Sequence, residues 1–342
     1  MQDPKRVTII LLALVVLGIG FLDYWDYSVA YHNNADTFMD VLNGTAPAPN
    51  QYRIGVIGPA GFLMRHTSLG LRHILAAIDI LTGWISVFTL FFLLRRSPVY
   101  RKARADRQWF LAAAFIVLVQ FYLPWVTWYQ RPETLTTASL VALSLLLLSV
   151  RIPFPATTGI VATAGAQILL AIAQAFVRAD VALALYAGVF LASLPTAGDG
   201  MSLPRRLQIA VAAVAVFLAA GIQYALMHIV YPHAKYGADT PVFQLALQFK
   251  EPARLIAFTF FIPPYAWLIH TLFRGRLRVD APAAAMVVAS AIFMVMWWVL
   301  GRVEEVRIFL PFALALVPLT VTVACERWLG VPLEARKPVS YS

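Results

Sequence analysis

Three short clusters in this sequence combine residue types that can do chemistry. The first is Asp23-Tyr24-Trp25-Asp26-Tyr27. Asp23 and Asp26 stand three apart and share a face of any helix, with Tyr24, Tyr27 and Tyr31 on a neighbouring one. A carboxylate held near another at an apolar boundary gains proton affinity and can serve as a base. An aromatic belt with ordinary solvated acids accounts for the same residues. The second cluster is Gln51-Tyr52-Arg53, where the planar fork of Arg53 can clamp a phosphate or simply anchor a loop to lipid head groups. The third is Arg302-Val303-Glu304-Glu305-Val306-Arg307, four charges in six residues. Arg302–Glu305 and Glu304–Arg307 are each three apart and can pair as a structural knot.

The elements that must position these clusters follow from composition. Of 342 residues, 61% are apolar and 13% charged, far from the balance of a soluble domain. Mean hydropathy is +0.74, and lipid is the solvent that accepts so apolar a chain. A single cysteine, Cys325, excludes a disulfide scaffold. Uncharged runs at Val7–Leu22, Gln108–Gln130, Thr134–Val150, Ile152–Val177, Val181–Gly198, Leu207–Ala234, Leu255–Phe273, Ala281–Gly301 and Ile308–Cys325, with Ile74–Leu94 broken only by Asp79, make ten candidate spans. The expected fold is an all-α polytopic helix bundle, one integral membrane domain over 1–342, with both termini on one side.

Charge sets the orientation. With both termini cytoplasmic, the inner segments hold 17 basic residues, including the cluster Arg95, Arg96, Arg101, Lys102, Arg104 and Arg107, against six acids. The rest of the chain keeps ten basic and eleven acidic residues, as the positive-inside rule requires. The net charge of +10 is therefore a topology signal and carries no nucleic-acid meaning. Lys5-Arg6 and the apolar run after them read as a retained helix, because Asp23, Trp25 and Asp26 are too bulky and charged for a processing site. Compact loops without targeting signals suit a bacterial inner (plasma) membrane.

Two outer connections are long, 23–73 and 231–254. In the first, Phe38, Val41 and Leu42 fall at helical spacing with Asp36 and Asp40 on another face, a short interfacial helix. The run 44–49 is an extended break, and Ile54–Met64 is apolar, too short to span and interrupted by Pro59, which suits a re-entrant or interfacial segment. Val242–Phe249 is similarly amphipathic, so the outer face carries a structured cap. Asp79, Gln120, Gln167, Gln174, Gln223, His228 and His270 are intramembrane polar residues that read as interhelical glue. The histidines show no metal-ligand spacing, although paired outer acids can bind a divalent ion through oxygen, so the cofactor stays unknown. There is no phosphate-binding loop, dinucleotide fingerprint or nucleophile elbow.

Taken together, the first and third clusters resemble the GT-C superfamily of polytopic membrane glycosyltransferases. That family carries an acid just after its first span, in a long outer loop with interface helices, and Asp23 and Asp26 match the position. Tyr52-Arg53 followed by Pro59 is similar to a Tyr-Arg-to-Pro stretch of several branches. Arg302-Val303-Glu304-Glu305-Val306-Arg307-Ile308-Phe309-Leu310-Pro311 resembles the His-Lys-Glu-x-Arg-Phe stretch of eukaryotic mannosyltransferases, without its His and Lys. Asp-Tyr, twice, stands where the family commonly has Asp-Glu.

The resemblance implies a polyprenyl-phosphate-linked sugar donor arriving from the bilayer and a glycan, lipid or protein acceptor. Asp26, or next Asp23, would deprotonate the acceptor hydroxyl for direct displacement, with Asp36 and Asp40 as further acids. Arg53, Arg307 or Arg302 would hold the donor phosphate, and Tyr27, Asp36, Tyr52, Glu304 and Glu305 would line the same region. A lipid or solute transporter or flippase is the chief alternative, but the chain shows no matching halves with interrupted helices. A membrane acyl or phosphoryl transferase would rest on His66 and His73 beside Asp79.

Overall fold

The computed structural model describes residues 4–29, 31–124, 133–194, 200–235, 243–250, 267–268, 280–301, 303 and 305–329. Within these, the side chains of residues 4, 23, 26–29, 31–36, 156, 247, 306 and 326–329 are outside the description. The described residues are helical with no strand: α1 (Pro4–Val29), α2 (Tyr31–Asn43), α3 (Ile54–His66), α4 (Leu71–Arg96), α5 (Pro98–Lys102), α6 (Ala105–Tyr122), α7 (Glu133–Ser149), α8 (Ala156–Ser193), α9 (Arg205–Ala225), α10 (Leu245–Lys250), α11 (Ala281–Leu300) and α12 (Leu310–Leu329). Six segments are long and apolar enough to cross a membrane: Lys5–Leu22, Leu71–Arg96, Thr157–Ser193, Arg205–Val230, Ala281–Leu300 and Arg307–Cys325. This is a polytopic membrane protein.

Helices α1 and α4 run antiparallel in close contact. Trp84 Nε1 donates to the Ala13 carbonyl at 3.3 Å, and Arg72 donates to the Tyr24 hydroxyl at 3.1 Å. The opposite flank of α1 is open, with Ile10, Leu14 and Phe21 exposed as a lipid-facing helix requires. α12 is the most enclosed spanning helix; Leu310, Phe312 and Leu314 are fully buried, and Phe312 meets Phe293 of α11 at 5.1 Å between ring centroids. Pro311 sits in its first turn, where no intrahelical donor is lost.

The 38 residues of α8 would reach about 57 Å as one straight helix, roughly twice the hydrocarbon thickness. Instead the backbone leaves helical geometry at Arg178 (φ −155°, ψ 93°) and folds back. The Tyr186 hydroxyl donates to the Gln167 carbonyl at 2.8 Å across 19 residues, a pair that a straight helix would hold about 28 Å apart. α8 is thus a hairpin of two arms, 156–177 and 179–193. The second arm packs on α11 at Gly188, where an added Cβ would lie 2.5 Å from the Ala289 nitrogen. Since the obstacle is backbone, Gly188→Ala is expected to force these helices apart and cost about 1–3 kcal/mol. A melting temperature equal to that of wild type in the same detergent would contradict this packing.

The two ends of the bundle differ. At one, Arg151 Nε donates to the Ser202 carbonyl and Arg205 Nε to the Ser193 carbonyl, each at 3.0 Å, so cations close the carbonyl end of the second α8 arm and the loop beside it. The other is the cap end. There α2, α3, the start of α4 and the α8 turn share an apolar cluster of Phe38, Val41, Val56, Ile57, Leu75 and Val177. The buried Gln51 side chain fixes the extended stretch between α2 and α3, accepting from Ala46 N at 2.9 Å and donating to the Val41 carbonyl at 3.1 Å. Ala48 N donates to the Lys235 carbonyl at 3.2 Å, tying the 23–73 connection to the chain that follows α9.

Candidate functional site

The cap end gathers charges from four separate stretches of chain. Arg53 directly precedes α3, whose first turn lies so close to the α8 turn that a Cβ on Gly55 would meet the Phe176 and Val177 backbone at 2.8 Å. From there the Arg53 guanidinium donates to Glu133 Oε1, at the start of α7, at 3.2 Å. Both side chains are largely enclosed, 20% and 11% exposed, so this is an ion pair removed from most of the solvent. Asp180, two residues past the hairpin turn, is held by both Nε (3.2 Å) and a terminal nitrogen of Arg178. It accepts a third bond from Trp297 Nε1 of α11 at 3.2 Å, and the Arg53 charge acts on it too.

Arg178, 3% exposed, also lies over the rings of Phe293 (5.6 Å) and Trp297 (5.8 Å). Phe293 in turn meets Phe309 edge-on at 6.0 Å, and Phe309 belongs to the short 3-10 turn that leads into α12. That turn carries Arg307, which donates to Glu305 at 2.5 Å. The spacing of two fits a segment that is not yet helical, since Glu305 sits at φ −79°, ψ 63°. The three-apart pairings expected from sequence involve Arg302 and Glu304, which lie outside the described residues.

Asp23, Asp26 and Tyr27 fall on the last turns of α1, and Asp36 on α2; their side chains lie outside the described residues. α1 continues to Val29, so Asp23 and Asp26 do share a helical face. Tyr52 is 5% exposed, and its hydroxyl donates to the Ala234 carbonyl, joining the two cap connections. Burial raises its pKa above the ordinary tyrosine value. Among the described residues no three His, Cys, Asp or Glu side chains converge as a metal site.

Sequence reasoning passed over Glu133, Arg178, Asp180 and Trp297. The signal was present: Arg178-Ala179-Asp180 is the sole interruption between two uncharged runs, and Glu133 is the acid directly ahead of another. Chemically, a guanidinium has five donors and Arg53 commits one of them among the described residues, so it keeps donors for a second anion. Low-dielectric surroundings strengthen whatever it then holds.

Deeper in the bundle, Gln167 and Gln208 bond each other through their side-chain amides at 2.8 Å. Gln174, one turn below Arg178 on the same arm, is 1% exposed and has no partner for either amide atom among the described residues. Two buried unsatisfied polar atoms are costly. Gln174→Leu is therefore expected to stabilise the protein by about 1–3 kcal/mol, read as a higher melting temperature in detergent. A fall in melting temperature would mean that the amide is bonded.

Comparison of the chain with protein-family models, curated proteins and solved structures returns no match.

Proposed function

We propose that this protein is a GT-C-type membrane glycosyltransferase that moves a sugar from a polyprenyl-phosphate donor to an acceptor hydroxyl. In this reading the chain crosses the membrane ten times, the two arms of α8 counting separately. Its termini lie in the cytoplasm and the cap faces outward. The arginine-rich opposite end, with Arg95, Arg96, Arg151, Arg205 and Arg206, supports that orientation by the positive-inside rule.

The observation that carries the proposal is Arg53. It stands where cap meets bundle, enclosed, paired with Glu133 and within the field of Asp180. A cation so placed suits the phosphate of a lipid-linked donor entering at the membrane boundary. Asp26 takes the proton of the acceptor hydroxyl, and the oxygen attacks the anomeric carbon. The bond from that carbon to the phosphate oxygen breaks, and polyprenyl phosphate leaves with the electron pair. Arg53, with Arg307 and Arg302, offsets the charge that develops on the phosphate, while Tyr27, Asp36, Glu304 and Glu305 belong to the acceptor side.

The test is transfer of radiolabelled sugar by purified protein from a panel of polyprenyl-phosphate sugars. Consumption of one donor with appearance of labelled product is the expected result. If no donor is consumed while labelled lipid or solute crosses the membrane of proteoliposomes, the protein is a transporter and the proposal fails.

A further inference from the structure

The corner between α3 and α4 carries a charge pattern that sugar transfer does not use. From Val41 to Ile78 the chain holds Arg53, Arg65, His66, Arg72 and His73, and no Asp or Glu. Arg53 pairs inward with Glu133. The other four flank the turn 67–70; Arg65, His66 and His73 are exposed and Arg72 is half-buried. Among the described residues no carboxylate pairs with any of these four. Arginine charge with no carboxylate partner among the described residues is anomalous on the end of the bundle where basic and acidic residues otherwise balance.

Three of these side chains, His66, Arg72 and His73, are held in place in advance. His66 Nδ1 lies 2.8 Å from the Phe62 carbonyl, which can only accept, so Nδ1 carries the proton and Nε2 is left as the ring's remaining polar atom. The imidazole also stacks on the Phe62 ring at 4.1 Å. Arg72 donates to the Tyr24 hydroxyl at 3.1 Å and lies 4.9 Å over its ring, while His73 Nε2 is 3.3 Å from the same hydroxyl. Tyr24 thus splints Arg72 and His73 against α1, and among the described residues it takes one of the five guanidinium donors. Ordering already present in the free protein need not be supplied on binding.

The apolar rim says what kind of anion fits. Phe62 is 61% exposed, Leu69 53%, and Trp25, next to Tyr24 on α1, 59%. Open aromatic and aliphatic side chains beside cations mark the edge of the hydrocarbon, the depth at which lipid phosphates lie. A site for a free phosphate ion would need no such rim. We propose that the α3–α4 corner docks the phosphate-bearing headgroup of an anionic phospholipid, with Arg65 and Arg72 as its cations and the His66 and His73 rings flanking them. The occupant is a resident lipid that seats the cap on the membrane, so the assignment stands apart from the transferase reading.

The test uses the full-length protein in detergent, equilibrated with an equimolar mixture of phosphatidylglycerol and phosphatidylcholine, with retained lipid counted by native mass spectrometry. Retention of phosphatidylglycerol over phosphatidylcholine is expected. Arg65→Gln and Arg72→Gln should each lower that preference about fivefold. Arg65→Gln removes no described contact, so its loss cannot be blamed on unfolding; the melting temperature of Arg72→Gln checks the other. Arg95→Gln/Arg96→Gln, at the opposite end, should leave the ratio unchanged. Equal retention of the two lipids, or a preference untouched in Arg65→Gln/Arg72→Gln, overturns the proposal. So does displacement of the lipid by inorganic phosphate, which would make the corner a free-anion site.

Discussion

Asp180→Asn is expected to destabilise the protein by about 3–5 kcal/mol, the largest stability loss of any single substitution in the cap-end cluster. The substitution leaves the Arg178 guanidinium 3% exposed with no carboxylate bound to it. Arginine cannot shed its charge. The faces of Phe293 and Trp297 compensate in part, by about 2 kcal/mol at most for desolvated cation–π contacts. Arg178→Met should cost less, because the stranded Asp180 still accepts from Trp297 and feels the charge of Arg53, and a carboxylate can take up a proton. The double variant Arg178→Met/Asp180→Asn removes both charges and should recover most of the loss, because no unpaired buried charge remains. Thermal melting of the four proteins in one detergent measures the cycle. Strictly additive losses, or a harmless Asp180→Asn, would show that the pair is solvated and that the α8 hairpin does not depend on it.

The hairpin also shows how far the sequence could be followed. Apolar runs were legible because lipid imposes one requirement, length without charge, and Arg178-Ala179-Asp180 marked where one run ended and the next began. What those three residues do was not legible. A charged tripeptide between spans reads as a connector, and nothing local says that the helix reverses there with its charges turned inward. The partners lie far along the chain: Glu133 is 80 residues from Arg53, and Trp297 is 117 from Asp180. Spacing rules reach only three or four residues and apply only within a helix. The Arg302–Arg307 stretch shows the second limit, because Glu305 and Arg307 pair two apart ahead of α12. The cap was easier to read. The amphipathic run 35–43, the Gly44–Pro49 break and the Pro-interrupted Ile54–Met64 each map onto α2, an extended stretch and α3, since a short element is governed by its own residues. Its attachment through Tyr52 to Ala234 is tertiary and left no local trace.

Under the proposed sugar transfer with Asp26 as base, Asp26→Asn is expected to lower kcat/KM by about 10²–10⁴-fold, the range for loss of a positioned general base. Asn keeps the size of Asp but puts an NH2 donor in place of one acceptor oxygen and cannot take the acceptor's proton, so the loss should fall on kcat while donor retention persists. α1 runs unbroken through this region, so Asp23 occupies the same face one turn closer to the hydrocarbon. It sits beside Tyr24, which Arg72 and His73 already engage. Asp23→Asn should consequently reduce transfer less, by shifting the charge around the base rather than removing it. The two variants therefore separate three cases under one assay with radiolabelled donor. Loss concentrated in Asp26→Asn assigns the base; loss concentrated in Asp23→Asn moves it one turn inward. Turnover like wild type in both, with the protein folded, removes these carboxylates from the chemistry and leaves them as the acids of an aromatic belt. A loss of kcat with an unchanged melting temperature reports on the chemistry of the carboxylate rather than on the fold.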